Sequence, residues 1–115
     1  MNILDRQNYI SKIFKDVHKN IFDQIKGFED KSMIQDDVWH KKELGNGNSV
    51  VIDDGNFFDK AGINFSSISG KSLPESSVGN KSKSMGLPFF ATGVSVVFHP
   101  KNPYIPTAHL NVRYF

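Results

Sequence analysis

Near the end of the printed sequence stands Thr107-Ala108-His109-Leu110-Asn111-Val112-Arg113, in which apolar and polar side chains alternate. This period of two is typical of a β-strand, whose successive side chains point to opposite faces. One face therefore carries His109, Asn111 and Arg113, at intervals of about 6.5 to 7 Å. A titratable imidazole, an amide and a permanent cation in one row indicate a candidate binding or catalytic site on this face of the strand.

A second β-branched and aromatic run, residues 94 to 99, predicts the partner strand. The next seven residues contain three prolines, which exclude regular pairing there and favour a stiff connection between two antiparallel strands. If this hairpin closes symmetrically, Ser95 lies opposite Asn111, and His99 lies diagonal to His109. Five polar groups would then share one face of the sheet.

Composition narrows the class of protein. The chain has 115 residues, 38% of them hydrophobic, and a net charge of +2, which suits one soluble domain or part of one. Its basic residues are spread out, unlike the clusters of a nucleic-acid-binding protein. Cysteine is absent, which excludes thiolate chemistry and fits a reducing compartment. No apolar run approaches about 18 residues, and we expect a cytoplasmic protein without a membrane span.

The first quarter of the chain predicts an amphipathic helix. From Asp5 to about Lys26, apolar residues recur at three- and four-residue spacing. Asp5 is the expected N-cap and Gly27 the expected stop signal. His18 borders the apolar stripe and is expected to be a packing or surface residue. We expect this helix to cover a sheet.

The middle of the chain predicts turns, short strands and a loop. Residues 45 to 49 are glycine- and asparagine-rich, which favours a tight turn and leaves a backbone cradle for an anion as the alternative. Residues 49 to 52 and 57 to 66 predict a hairpin around an Asp-Gly turn. Serine, glycine and lysine dominate residues 66 to 88, which predicts a long mobile loop. Two interpretations of this loop remain open: a disordered segment, and a lid over the strand face that carries His109, Asn111 and Arg113.

The polar strand face suits a carboxylated small molecule. Arg113 offers a planar fork that matches a carboxylate, and His109 is the candidate proton carrier. Asn111 and Ser95 can donate hydrogen bonds to substrate oxygens. Two alternatives stay open: half-exposed strand residues satisfied by water, and a metal site at His99 and His109.

Two stretches resemble signature segments of the oxygen-dependent coproporphyrinogen III oxidases. One runs from Phe90 to Phe115 and includes His99-Pro100-Lys101-Asn102-Pro103-Tyr104-Ile105-Pro106 before the strand quoted above. The other is Lys60-Ala61-Gly62-Ile63-Asn64-Phe65-Ser66. The similarity covers roughly residues 39 to 115.

This resemblance implies an enzyme of haem biosynthesis. Members convert two propionate groups of coproporphyrinogen III to vinyl groups, giving protoporphyrinogen IX, with molecular oxygen as co-substrate and no organic cofactor. The implied fold is α+β, a large antiparallel sheet flanked by helices, in a homodimer. Residues 1 to 115 would form a single incomplete domain from the N-terminal part of that fold, one long helix followed by antiparallel strands.

The resemblance also implies roles for individual residues. His109 matches the proton donor, and His99 with His109 matches a divalent-metal site of bacterial members. The substrate-contacting positions that it implies are Ser95, Asn111, Val112 and Arg113. Because family members are far longer, we expect this chain to be a fragment without turnover of its own. The rival interpretation is a truncated, non-catalytic remnant that binds anions or a partner at most.

Overall fold

A computed structural model describes residues 2–70 and 88–115 of the chain. One long helix precedes five strands, and two 3₁₀ turns, Lys26–Phe28 and Lys31–Met33, connect it to the first strand. The elements are α1 (Ile3–Ile25), β1 (Ile34–Lys41), β2 (Gly45–Asp53), β3 (Phe58–Gly70), β4 (Phe89–Pro100) and β5 (Ala108–Tyr114). The predicted α+β class, one helix followed by antiparallel strands, is confirmed.

The five strands form one antiparallel sheet in chain order, β1-β2-β3-β4-β5. α1 lies across β3 and β4 on one side, as expected of a helix with one apolar stripe. The buried residues between them are Val50, Ile63, Phe65, Val94 and Val96. We call the opposite surface of the sheet the open face. Strand by strand, its residues include Asp37, Trp39, Lys41, Gly47, Ser49, Lys60, Gly62, Asn64, Ser66, Gly93, Ser95, Val97, His99, His109, Asn111 and Arg113.

The N-cap of the helix lies three residues before the predicted one. Asn2 caps the helix, because its side-chain oxygen accepts a hydrogen bond from the backbone N–H of Asp5 at 2.8 Å. The N-cap prediction was therefore wrong. Asp5 lies inside the first turn, where its negative charge interacts favourably with the positive end of the helix dipole and stabilises the helix. Within the described residues, no helix has an 18-residue window apolar enough to cross a bilayer.

His18 is a packing residue, as predicted. It is buried beneath α1, and its Nε2–H donates to the backbone carbonyl oxygen of Ile63 at 2.9 Å. A buried polar group without such a partner would destabilise the fold. His18 therefore ties the helix to the central strand of the sheet.

The predicted turn at residues 45 to 49 is wrong, because these residues form the start of β2. The chain reverses earlier, through Glu43, whose φ is 66°. Gly47 has a different reason to be glycine: a Cβ there would lie 2.5 Å from the Trp39 ring. The anion-cradle alternative also fails, since these residues pair with β1 and β3 in the ladder.

The β2–β3 hairpin is confirmed, with Asp54 at a positive φ of 52° in the turn. The loop predicted from Ser66 to residue 88 is wrong over residues 66 to 70, which belong to β3. β3 continues to Gly70 and pairs with β4 as far as Phe89, because Ile68 keeps the strand pattern and Ser66 accepts a hydrogen bond from Thr92. Residues 71 to 87 of that prediction lie outside the described residues.

Candidate functional site

The β4–β5 register has the symmetric pairing that the sequence predicts. Ser95 pairs with Asn111, and His109 lies opposite Val97. Partners in an antiparallel ladder project to the same side, so Ser95, His109, Asn111 and Arg113 share the open face. β5 is an edge strand and is exposed throughout, which leaves these groups accessible to a ligand.

His99 and His109 form a direct contact at one end of this row. Their Nε2 atoms are 2.8 Å apart, and their rings are nearly parallel, with centroids separated by 5.0 Å. One Nε2–H therefore donates to the lone pair of the other Nε2. The diagonal relation predicted for the two residues is confirmed, and the pair can hold or pass a proton between two defined nitrogen atoms.

The same pair fits part of a metal site. Two imidazole nitrogens at this separation can both lie about 2.1 Å from one divalent ion, with an N–ion–N angle of roughly 84°. Among residues 2–70 and 88–115, no group of three or more His, Cys, Asp or Glu side chains converges. The described residues would thus supply two nitrogen ligands to such an ion.

Arg113 lies across β4, and a glycine makes this position possible. A Cβ at Gly93 would lie 2.8 Å from Cγ of Arg113 and 2.5 Å from the carbonyl oxygen of Val112. The side chain of Val112 is on the other face of the sheet, in register with Val94. Only the backbone of Val112 is therefore available to a ligand on the open face.

The register extends the site into two rows across the whole sheet. One row runs Asp37, Ser49, Asn64, Ser95, Asn111, and the neighbouring row runs Trp39, Gly47, Ser66, Gly93, Arg113. Sequence reasoning missed the β1 and β2 members of these rows. No clear alternation of polar and apolar residues marks β1. The turn wrongly predicted at residues 45 to 49 also concealed which β2 residue faces which β1 residue.

Comparisons with known proteins show which family this chain is similar to. A family model described as coproporphyrinogen III oxidase matches residues 9–115. An oxygen-dependent coproporphyrinogen-III oxidase from Prochlorococcus marinus strain MIT 9515 is 44% identical over 96 residues, 84% of this chain and 28% of the relative. One from strain AS9601 is 45% identical over 91 residues, 79% of this chain and 27% of the relative. The chain thus spans little more than a quarter of the length of these relatives.

Proposed function

Because this chain belongs to the coproporphyrinogen III oxidase family, we propose that it supplies part of the substrate site of an oxygen-dependent coproporphyrinogen III oxidase. In this reaction two propionate groups become vinyl groups. Each loses its carboxyl group as CO₂ and a proton from its β-carbon, and passes two electrons to molecular oxygen. The four electrons from two propionates, with four protons, reduce one O₂ to two molecules of water, and the product is protoporphyrinogen IX. The relatives are named oxygen-dependent coproporphyrinogen-III oxidases, which supports this assignment.

One observation carries the proposal: the ladder register lines up a cation, an amide, a hydroxyl group and an imidazole on one exposed sheet face. Arg113 binds a propionate carboxylate through a charge-assisted pair of hydrogen bonds. Asn111 and Ser95 donate to the remaining lone pairs of the same two carboxylate oxygens and orient the chain of the propionate. His109 holds the proton beside that carboxylate, and His99 fixes its Nε2.

The finer features of the family are proposals as well. Molecular oxygen is the co-substrate, without an organic cofactor. When a divalent ion is bound, His99 and His109 supply its nitrogen ligands, and the ion contributes Lewis-acid chemistry. We also propose a homodimer for the intact enzyme and a cytoplasmic location, which the absence of cysteine fits.

Arg113→Ala tests the anchoring role. Loss of a hydrogen bond to a charged group costs about 1.5 to 3 kcal/mol, so we expect the affinity of the chain for coproporphyrin III, a stable tetracarboxylate analogue, to fall by about 10- to 150-fold. Titration followed by the porphyrin absorbance measures this.

The chain offers a matched control, because its two arginines are Arg113 and Arg6. Arg6 lies on the exposed surface of α1, and Arg6→Ala changes the net charge equally. Equal losses in the two variants would mean that Arg113 acts only through overall charge, and the anchoring role would be wrong.

An oxygen-uptake assay with coproporphyrinogen III separates the enzyme from the remnant. Uptake by this chain would eliminate the remnant, whereas binding without uptake is expected of an enzyme fragment and of a remnant alike. Uptake that His109→Ala lowers more than it lowers binding would support the proton-carrying role of His109.

A further inference from the structure

The row that contains Arg113 ends at an aromatic side chain on the opposite edge of the sheet. Trp39 on β1, Gly47 on β2, Ser66 on β3 and Gly93 on β4 lie in register with Arg113 on β5. Four strand spacings of about 4.8 Å separate the outer strands by roughly 19 Å. This is the scale of a tetrapyrrole with extended propionate arms.

Trp39 and Arg113, at the two ends of this row, each pack over a glycine of the neighbouring strand. A Cβ at Gly47 would lie 2.5 Å from Cε2 and Cζ2 of Trp39, as one at Gly93 would lie 2.8 Å from Cγ of Arg113. Trp39 is half-buried by this contact, so its indole ring is held in place against the strand. Between the end residues only the Ser66 hydroxymethyl group rises from the row. The result is a shallow trough with small residues as its floor.

Each end of the trough carries a cation. Nζ of Lys41 lies 5.9 Å from the centroid of the Trp39 ring, a cation–π distance, and Lys41 is on the open face two residues beyond Trp39. Asp37 lies two residues before Trp39 on the same face. Its carboxylate repels a propionate and accepts from a pyrrole N–H, so the carboxylate of a ligand belongs on the Lys41 side of the indole.

From this geometry we infer that Trp39 and Lys41 form a second anchor of the substrate site, in which the indole contacts a pyrrole ring and the ammonium group pairs with a propionate far from Arg113. The inference rests on the proposed function and adds a specificity: the trough selects tetrapyrroles whose carboxylates stand on opposite sides of the macrocycle. A molecule with carboxylates on one edge alone can engage only one end.

Variants of the 115-residue chain test the contact of Trp39 with the tetrapyrrole. Titrated with coproporphyrin III and followed by the porphyrin absorbance, Trp39→Ala should weaken binding about five- to tenfold, consistent with the loss of an aromatic contact. Trp39→Phe should remain within about twofold of the parent. Val38→Ala is the matched control, since Val38 is the adjacent β1 residue on the other face and is 79% exposed. Circular dichroism checks that each variant is folded.

Adjacent lysines test the second carboxylate contact. Lys41→Ala should weaken coproporphyrin III binding about three- to tenfold, whereas Lys42→Ala, which removes the same charge in the neighbouring turn, should not. Mesoporphyrin IX, with two propionates on one edge, should bind the Lys41→Ala variant and the parent equally. A merely structural role of Lys41 would weaken both porphyrins alike.

The outcomes separate this inference from the proposed function. If Arg113→Ala weakens binding while Trp39→Ala and Lys41→Ala behave as their controls do, the second anchor is wrong and the proposed function stands. If the parent chain does not bind coproporphyrin III, or binds it independently of Arg113, both fail. Equal losses of coproporphyrin III affinity for Val38→Ala and Trp39→Ala would mean that Trp39 only stabilises β1. Its role in the second anchor would then be wrong.

Discussion

At the scale of single residues, Glu29 shows how one carboxylate can order a whole connection. It lies between the two 3₁₀ turns, is 8% exposed, and accepts hydrogen bonds of 2.5 to 3.0 Å from three consecutive backbone N–H groups in the β2–β3 connection. A Cβ at Gly55 would lie 2.1 Å from the same carboxylate. Glu29 thus acts as a clamp between the end of the helical segment and the hairpin, 27 to 29 residues away along the chain.

The clamp makes stability depend on pH. Desolvation by burial raises the pKa of Glu29, but the three N–H donors and the positive charge of Lys101 lower it by more, and the pKa lies below its ordinary value near 4.5. A lowered pKa means that this stabilisation is fully present above about pH 4.5 and is lost as the pH falls through the folded-state pKa. We expect Glu29→Gln to lower the free energy of unfolding by about 1.5 to 3 kcal/mol at pH 7, and by progressively less as the pH drops below 4.5.

Urea unfolding at a series of pH values measures this, with Glu43→Gln as the control. Glu43 is exposed and undergoes the same substitution without a buried network. A penalty for Glu29→Gln that stayed constant down to pH 3 would contradict the assignment of the stabilisation to the ionised carboxylate.

At the scale of elements, the glycines of the open face decide how closely neighbouring strands and side chains approach. Gly93→Ala places a methyl group against both the Val112 carbonyl and the Arg113 side chain, so β5 must shift. Overpacking of this kind costs about 1 to 3 kcal/mol, and displacement of Arg113 should weaken coproporphyrin III binding as well. Urea unfolding and the porphyrin titration measure the two effects.

Gly62 provides the control for Gly93, because it lies on the same face and a Cβ there meets nothing within 4 Å. Gly62→Ala should leave the free energy of unfolding unchanged or raise it by up to about 1 kcal/mol, since alanine restricts the unfolded chain. If both substitutions destabilised the chain equally, the close approach of β5 to Gly93 would not be the cause.

At the scale of the whole molecule, stability is expected to be uneven across the sheet. β3 pairs on both sides and carries Ile63, which is 0% exposed, whereas β5 pairs only with β4 among the described strands. On the helix side of β5, Leu110 and Val112 remain 45% and 43% exposed, because α1 lies over β3 and β4. The strand that bears most of the predicted site is thus the one with the least buried surface.

Hydrogen exchange measures this gradient. Ladder-bonded amides of β3 should show the highest protection of the sheet and those of β5 markedly less, since opening of an edge strand exposes little apolar surface. Coproporphyrin III should raise the protection of β5 selectively, because the ligand bridges it to the rest of the open face. Equal protection of β3 and β5 in the free chain would contradict the expected gradient.

The parts that the sequence predicted correctly depend on local periodicity. The 3.6-residue pattern of α1, the alternation around His109 and the prolines before it are short-range signals, and they sufficed for the helix, the β4–β5 hairpin and the shared face of Ser95 and Arg113. The contact between the two histidines also followed, because register in a hairpin fixes which side chains meet. The family resemblance rested on the same short segments.

Tertiary structure was required for the position of the β1–β2 turn, the clamp of Glu29 and the place of Trp39. The cap at Asn2 is a local contact, between residues three apart, that the sequence prediction placed at Asp5 instead. Glycine and asparagine in β2 carry the local pattern of a turn, yet Gly47 is glycine because the Trp39 ring lies over it. Such a reason exists only after a partner strand is in place. Local sequence therefore determined most of the secondary-structure elements and the polar residues of β5. Pairing between distant residues decided which groups lie at the other end of the open face, because the free energy gained by cross-strand packing outweighs the local turn propensity of β2.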